Sequence, residues 1–274
     1  MTGLGITAAE GARWWSRAAS YVRLNARFYL GLGAPCTRRA FPEARVRSAL
    51  GVPPDLIRDL VACYQRGSEQ VERINFRCAR ITAGQPGRSV FVKEFPRLRR
   101  VHDVERGLRC SRVDRAWRAG HLLPRMGILT PRPMGTAQAG ALDGTVTEYL
   151  VTEWLQSARP FPELLSAASG GRAALLGELA GHMRRWHHLG IYLRDLVKNV
   201  LVTGEEGERR YWLTDLDGLH PMRWPNRDRV LFHMRQLAHW AKPSPEEAQL
   251  VADAYLSSAP PSAAAAIRSA LIAD

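Results

Sequence analysis

The stretch G190-IYLRDLVKNVL-V202 decides how this chain is to be read. It places a carboxylate, Asp195, and a carboxamide, Asn199, in one short loop. Upstream, GRAALLGELAGHMRRWHHLG has the pattern of a long helix stopped by Gly190. Downstream, NVLV and RYWLTDLD are two short strands joined by the turn GEEGE, and the returning strand ends at Asp215. Helix, loop, strand, hairpin and strand together aim two carboxylates and a carboxamide at one small volume. The tripeptide Arg-Asp-Leu carries no weight by itself. It recurs at Arg58, Asp59 and Leu60, where nothing similar follows.

Working outward, residues 12–30 show amphipathic helical spacing, with Trp14, Ala18, Tyr21, Asn25 and Phe28 near one stripe. An irregular Arg-rich stretch follows, and residues 56–64 and 71–82 are expected to be strands. AGQPG is a turn, and RSVFVKEF the next strand, with Lys93 after alternating Val90 and Val92. SRVDRAWRAGHLLPRM reads as a helix with Val113, Trp117, Leu123 and Met126 inward, and Thr145 to Leu155 as strand again. From Asn226 the pattern is helical, interrupted by KPSP and APPS. Strands with one helix precede helices with one hairpin. This is an α+β order with a cleft expected near Thr152 to Leu155.

The 274 residues suffice for one two-lobed domain with a substantial core, and 46% hydrophobic with 24% charged residues is ordinary globular composition. No apolar run has the length of a membrane span, and the N-terminus lacks a secretory pattern. Cys36, Cys63, Cys78 and Cys110 form no C-x-x-C pair, which disfavours zinc or a disulfide framework and fits a reducing cytoplasm. The net charge of +13 suits a polyanionic partner, yet it is diffuse, and no nucleic-acid motif accompanies it. Only three of the 39 basic residues are lysines: Lys93, Lys198 and Lys242. A lysine kept in so Arg-rich a chain points to a compact ammonium where a planar guanidinium will not serve.

Phosphoryl transfer needs such a set. The transferred group is already highly charged, so its chemistry requires positioning and cations. One Asp orients or deprotonates the acceptor hydroxyl, a second Asp and an Asn hold magnesium, and a lysine on a strand of the first lobe meets the phosphates. In order along the chain, Lys93, Asp195, Asn199 and Asp215 match these requirements.

The segments VFVKEF, WRAGHLLPRMGILTPRPMG, YLVTEWL, HHLGIYLRDLVKNVLV and YWLTDLDG resemble the bacterial lipopolysaccharide core kinases (the Kdo/WaaP family) of the protein-kinase-like superfamily. The resemblance runs from about Val71 to Leu219, and the G-I-x-T-P-R-P run after a W-R-x-G helix separates it from eukaryotic protein kinases. It implies a two-lobed protein-kinase-like fold: a small β-rich N-lobe over 51–152, a mainly helical C-lobe over 153–274, and an N-terminal helical extension over 1–50. It implies ATP and magnesium as cofactors, with Lys93 on the phosphates, Asp195 as base, Asn199 and Asp215 on the metal, and backbone groups of Glu153 to Leu155 on the adenine. The implied substrate is a sugar hydroxyl of a lipopolysaccharide-type glycolipid, met in the cytoplasm. Separately, Trp14, Trp15, Tyr21 and Phe28 beside Arg13, Arg17, Arg23 and Arg27 suit either peripheral contact with an anionic membrane, on the cytoplasmic face of the inner membrane, or packing against the first lobe.

There are departures from the family pattern. Leu193 stands in place of the His of H-R-D, and only three residues separate Asp195 from Asn199. Lys198 is a candidate for the loop lysine that neutralises the γ-phosphate. Asp217, where D-F-G has Gly, is either a further metal ligand or a turn former. The glycine-rich loop is reduced to Gly67 and Ser68 in QRGSEQ. The helix glutamate that should pair with Lys93 falls on Ala116, with Asp114 the nearest acid. Two rivals remain on these grounds. One is a Ser/Thr or Tyr protein kinase, disfavoured by the short segment after Asp215; the other is a pseudokinase acting as an interaction module.

Overall fold

The computed structural model describes residues 36–40, 44–82, 89–99, 111–140, 145–168, 170–221, 227–256 and 261–272. The helix expected over 12–30 and the turn AGQPG lie outside them. The chain divides into two compact units, one of residues 36–156 with 215–217 and one of 157–214 with 218–272.

The first unit is built on a seven-stranded sheet in the order β1-β2-β6-β7-β5-β4-β3. Its strands are β1 (Cys36–Ala40), β2 (Ala44–Ala49), β3 (Val71–Asn75), β4 (Cys78–Thr82), β5 (Ser89–Arg99), β6 (Pro133–Gly140) and β7 (Thr145–Glu153), and every neighbouring pair is antiparallel. Part of the stretch 1–50, expected as a helical extension, is therefore a β-hairpin: β1 and β2 add two strands to the edge beyond β6. Alternation along β5 sends Val90 and Val92 into the core and Phe91, Lys93 and Phe95 to the other face.

A second expectation fails over 56–64, which is not a strand. It lies in helix α1 (Pro54–Arg66), with Pro54 at the first helical position, Asp55 in the first turn and Gly67 as a left-handed C-cap at φ 64°. Ile57, Leu60, Val61 and Tyr64 recur at helical spacing and are all buried. They pack on Val46, Ile81, Val90, Val92, Ala137 and Val151 of the sheet. The approach is so close that a Cβ on Gly135 would lie 2.5 Å from Ile57. Helix α2 (Arg112–Leu122) is capped by Ser111, whose hydroxyl accepts from the Asp114 amide at 3.1 Å. As its pattern predicts, Val113, Trp117 and Leu123 are buried; Met126, in a following 3₁₀ turn, is half-buried.

The second unit is mainly helical: α3 (Phe161–Ala167), α4 (Arg172–His188), α5 (Arg227–Ala241), α6 (Pro245–Leu256) and α7 (Pro261–Ile272). Leu175, Leu176, Leu179, Met183 and Trp186 of α4 supply its core. Short strands carry the loops: β9 (Ile191–Leu193) pairs with β12 (Leu219–Pro221), and β10 (Val200–Thr203) lies between β11 (Arg210–Leu213) and β8 (Arg159–Pro160). The hairpin joining β10 to β11 needs its glycine. Gly204 has φ 83°, and a Cβ there would meet the Glu208 carbonyl oxygen at 2.7 Å. No helix among the described residues is long and apolar enough to cross a membrane.

Candidate functional site

In the sheet unit four charged side chains converge on β5. Lys93 pairs with Asp215 and places its Nζ 2.9 Å from Asp217 Oδ1. Arg112, from the first turn of α2, donates from Nε to Asp217 Oδ2 at 2.6 Å. The Phe95 ring lies beneath both cations, its centroid 5.1 Å from Lys93 Nζ and 5.6 Å from the Arg112 guanidinium carbon. Asp215 has φ 56°, in the left-handed region that Asp tolerates better than most residues.

The two carboxyls of this cluster are driven apart. Burial and the hydrogen bond and charge of Asp217 raise the pKa of Asp215. Burial would raise Asp217 as well, but the hydrogen bond from Asp215, then Lys93 and Arg112, bring it below the ordinary carboxylate value. For Lys93, burial opposes the charge, yet Asp217 and Asp215 outweigh it and its pKa rises. Asp217 is 2% exposed and saturated by cations, whereas the Asp215 side chain is 39% exposed. Asp217 thus stands as the counter-ion that fixes Lys93.

That role was expected of Asp114, and the structure corrects it. Asp114 pairs with Arg47 of β2 at 2.7 Å, and its amide donates to the Ser111 cap of its own helix at 3.1 Å. Gly67 and Ser68 are likewise placed by helix termination. The Gly67 amide donates to the carbonyls of Cys63 and Tyr64 at 3.1 and 3.3 Å, and the Ser68 amide turns to Cys63 at 3.5 Å. The turn beside Lys93 is another one, Asn75–Cys78, which joins β3 to β4. Cys78 is the register partner of Lys93, and the Arg77 carbonyl accepts from the Glu94 amide at 2.7 Å. Asn75 Oδ1 accepts from the Arg77 amide at 2.9 Å, Phe76 is 80% exposed, and Arg77 is exposed. Read as one strand over 71–82, this turn escapes notice in the sequence; Asn75 is its sole turn-forming signal. At the end of β7, the amides of Glu153 and Trp154 donate to Arg132 and Ser89 carbonyls at 3.0 and 3.2 Å. Of the expected adenine-facing groups, the Glu153 and Trp154 amides are therefore taken, and the Glu153 carbonyl accepts from the Thr152 hydroxyl at 3.2 Å.

The helical unit holds the other predicted residues, brought together in the loop after β9. Asp195 and Lys198 are exposed, while Leu196 and Val197 between them anchor the loop at 1% exposure each. The Asn199 amide donates to the carbonyls of Asp195 and Leu196, both at 3.1 Å. The Asn199 carbonyl accepts from Thr214 twice, from its amide at 2.9 Å and its hydroxyl at 3.0 Å. Thr214 immediately precedes Asp215 in the chain. Leu193, in the place of the family's histidine, is 1% exposed.

No protein-family model matches the sequence, and no curated protein does. Among solved structures, the chain is similar to WaaP in complex with acyl carrier protein, at 16% identity and TM-score 0.50, covering 69% of this chain and 79% of that one. The fold is protein-kinase-like. Weaker likenesses are to WbdD with the kinase inhibitor LY294002 (14% identity, TM-score 0.39, 72% of this chain and 43% of that one) and to the MAP kinase LmaMPK10 from Leishmania major (15%, 0.35, 76% and 62%). A kinase-like fold of two lobes, one β-rich and one mainly helical, is what the sequence led us to expect.

Proposed function

We propose that this protein is an ATP- and magnesium-dependent phosphotransferase acting on a sugar hydroxyl of a lipopolysaccharide-type glycolipid. The observation that carries the reading is the Lys93–Asp215–Asp217 cluster on a kinase-like sheet. Lys93 contacts the ATP phosphates, and the Glu153 carbonyl and Leu155 amide hold the adenine. The β3–β4 turn at Asn75 to Arg77 lies over the phosphates, with Arg77 adding positive charge. Asp215 and Asn199 offer oxygen donors of the kind magnesium takes. Asp215 fits that role on its electrostatics, since its ionised form is only partly compensated and gains by meeting a dication. Bound there, magnesium would neutralise charge on the triphosphate. Asp195 orients the acceptor hydroxyl and takes its proton, and Lys198 stands by the transferred group. Asp217 is assigned to holding Lys93 rather than to the metal.

The short run of residues 216–226 between Asp215 and α5 favours a saccharide over an extended peptide, and the net charge of +13 suits an anionic acceptor on the cytoplasmic membrane face. Incubating the protein with labelled ATP and a core oligosaccharide should move label to the sugar, and Asp195→Asn should remove most of it. Rapid transfer to generic protein substrates, with none to any saccharide, would promote the protein-kinase reading. A second reading, a pseudokinase, is favoured by one observation: the α2 carboxylate is committed to Arg47 and not to Lys93. Magnesium-dependent ATP binding without transfer to any acceptor would select it.

A further inference from the structure

Beneath the loop that carries Asp195, α5 directs two side chains to consecutive backbone carbonyls. His233 Nε2 lies 2.8 Å from the Leu193 oxygen, and Gln236 Nε2 donates to the Arg194 oxygen at 2.6 Å. The two residues are three apart, on one face of the helix. Their acceptors are the two peptide groups immediately before Asp195. The contact continues inward. His233 Nδ1 is 2.6 Å from His187 Nε2 on α4, and His187 Nδ1 is 2.7 Å from the Tyr255 hydroxyl on α6. Both imidazoles are 0% exposed. The Tyr192 ring of β9 lies nearly parallel to His233 at 4.8 Å, with the Arg229 guanidinium over it at 4.6 Å.

Simple hydrogen-bond accounting gives this chain one direction. A carbonyl only accepts, so His233 Nε2 must carry a hydrogen. A neutral His233 then accepts at Nδ1, which makes His187 Nε2 a donor and His187 Nδ1 an acceptor, and the Tyr255 hydroxyl must donate. Burial holds both rings neutral: it takes His233 down to about 4 and His187 well below its ordinary value. Arg229 acts the same way on His233, as do His233 and His188 on His187, whereas burial raises the Tyr255 hydroxyl and Arg184 only partly offsets it. Every donor and acceptor in the line is therefore assigned, from α6 through α4 and α5 to the backbone of the loop.

Building on the functional reading above, we infer that His233 and Gln236 are positioning residues that set the backbone of the Asp195 loop, with His187 and Tyr255 fixing the tautomer through which His233 does so. They touch neither nucleotide nor acceptor in this assignment. They determine where the Asp195 carboxylate points, and a displaced base costs rate rather than nucleotide affinity.

The test reads magnesium-dependent phosphate release from ATP by the full-length protein. His233→Leu removes both hydrogen bonds, and kcat should fall about 10- to 100-fold with the KM for ATP within about threefold. His233→Gln has a donor and an acceptor on one side chain and should recover most of that loss. Gln236→Leu, at a half-buried position, should lower kcat by about 3- to 10-fold. Should His233→Leu not fold, Gln236→Leu decides together with ¹⁵N-histidine NMR of the unmodified protein, which should show both rings as neutral Nε2–H tautomers at pH 7. An active enzyme indifferent to the substitutions, a KM that rises in step with the fall in kcat, or an Nδ1–H or cationic His233 overturns the positioning role alone. A wild-type protein with no magnesium-dependent turnover removes the functional reading and this inference together.

Discussion

The two groups of candidate residues are held in place by different physics. On the sheet unit, Lys93, Asp215, Asp217 and Arg112 are fixed by mutual charge over an aromatic floor, and burial together with that charge displaces the proton affinities of Lys93, Asp215 and Asp217. In the helical unit, the loop of Asp195 and Asn199 is fixed through its backbone, by Thr214 on one side and by His233 and Gln236 on the other, and its carboxylate is left exposed. A cluster that must receive a polyanion can be assembled from charges that the ligand will exchange. A base that must meet a neutral hydroxyl needs aim, which backbone hydrogen bonds provide without burying its charge.

The largest effect is expected at Asp195. Asp195→Asn should lower turnover by about 10²- to 10⁴-fold with ATP affinity nearly unchanged, because in the proposed reaction the residue acts on the acceptor. Asp59→Asn, in the other Arg-Asp-Leu, is the control. If it behaves like Asp195→Asn in steady-state kinetics, the placement of the catalytic loop is wrong.

On the charge-built side, magnesium-ATP at a hundred times its dissociation constant should stabilise the protein by roughly 2–3 kcal/mol in thermal unfolding. Lys93→Arg should abolish most of that despite keeping the charge, because a guanidinium cannot keep the point contacts to Asp215 and Asp217. Asp215→Asn should abolish it as well. An undiminished shift in either variant would detach the cluster from the nucleotide.

How much of this was legible in the sequence follows from the range of the forces involved. The Asp195 loop could be read because its helix stop, its strands and its hairpin glycine are local signals within thirty or so residues. Helix α1 is ambiguous in the sequence because a short apolar run such as DLIRDLVACY satisfies strand and helix patterns alike, and packing on the sheet decides between them. The turn at Asn75 to Arg77 is masked in the sequence because it has no glycine and has β-forming neighbours on both sides. The partners of Lys93 were out of reach for another reason: Asp215 and Asp217 lie 122 and 124 residues away. The family's glutamate position falls on Ala116 and leaves Asp114 as the nearest acid, but no local rule could show that Arg47 takes it first.

Within the charged cluster the two carboxyls are shifted in opposite directions. Asp217 has a folded pKa below its unfolded one, so it contributes stability that is present above the ordinary carboxylate pKa and lost as pH falls through its own lower value. Asp215 is shifted the other way, so ionising it in the fold costs stability near neutrality and that cost vanishes on acidification. Without ligand at pH 7, Asp217→Asn should therefore destabilise by roughly 1–3 kcal/mol in urea unfolding, while Asp215→Asn should be neutral or stabilising. The Asp217→Asn deficit should shrink below about pH 4. Equal losses in the two variants would mean that the carboxyls are interchangeable, and the assignment of Asp217 as the counter-ion of Lys93 would fall.

The smallest effect separates a helix cap from a phosphate loop. Gly67 ends α1 at φ 64°, a conformation an alanine enters only with strain, although nothing within 4 Å would obstruct its methyl group. Gly67→Ala should thus cost about 1 kcal/mol of stability and leave the affinity for magnesium-ATP unchanged. Arg77→Ala, on the turn beside Lys93, should do the reverse: stability within about 0.5 kcal/mol of wild type, as for an exposed surface substitution, and ATP affinity reduced severalfold. Titration calorimetry paired with urea unfolding on both variants reads all four quantities. If Gly67→Ala weakened ATP binding and Arg77→Ala did not, the phosphates would belong to QRGSEQ after all, and the β3–β4 turn would be only a turn.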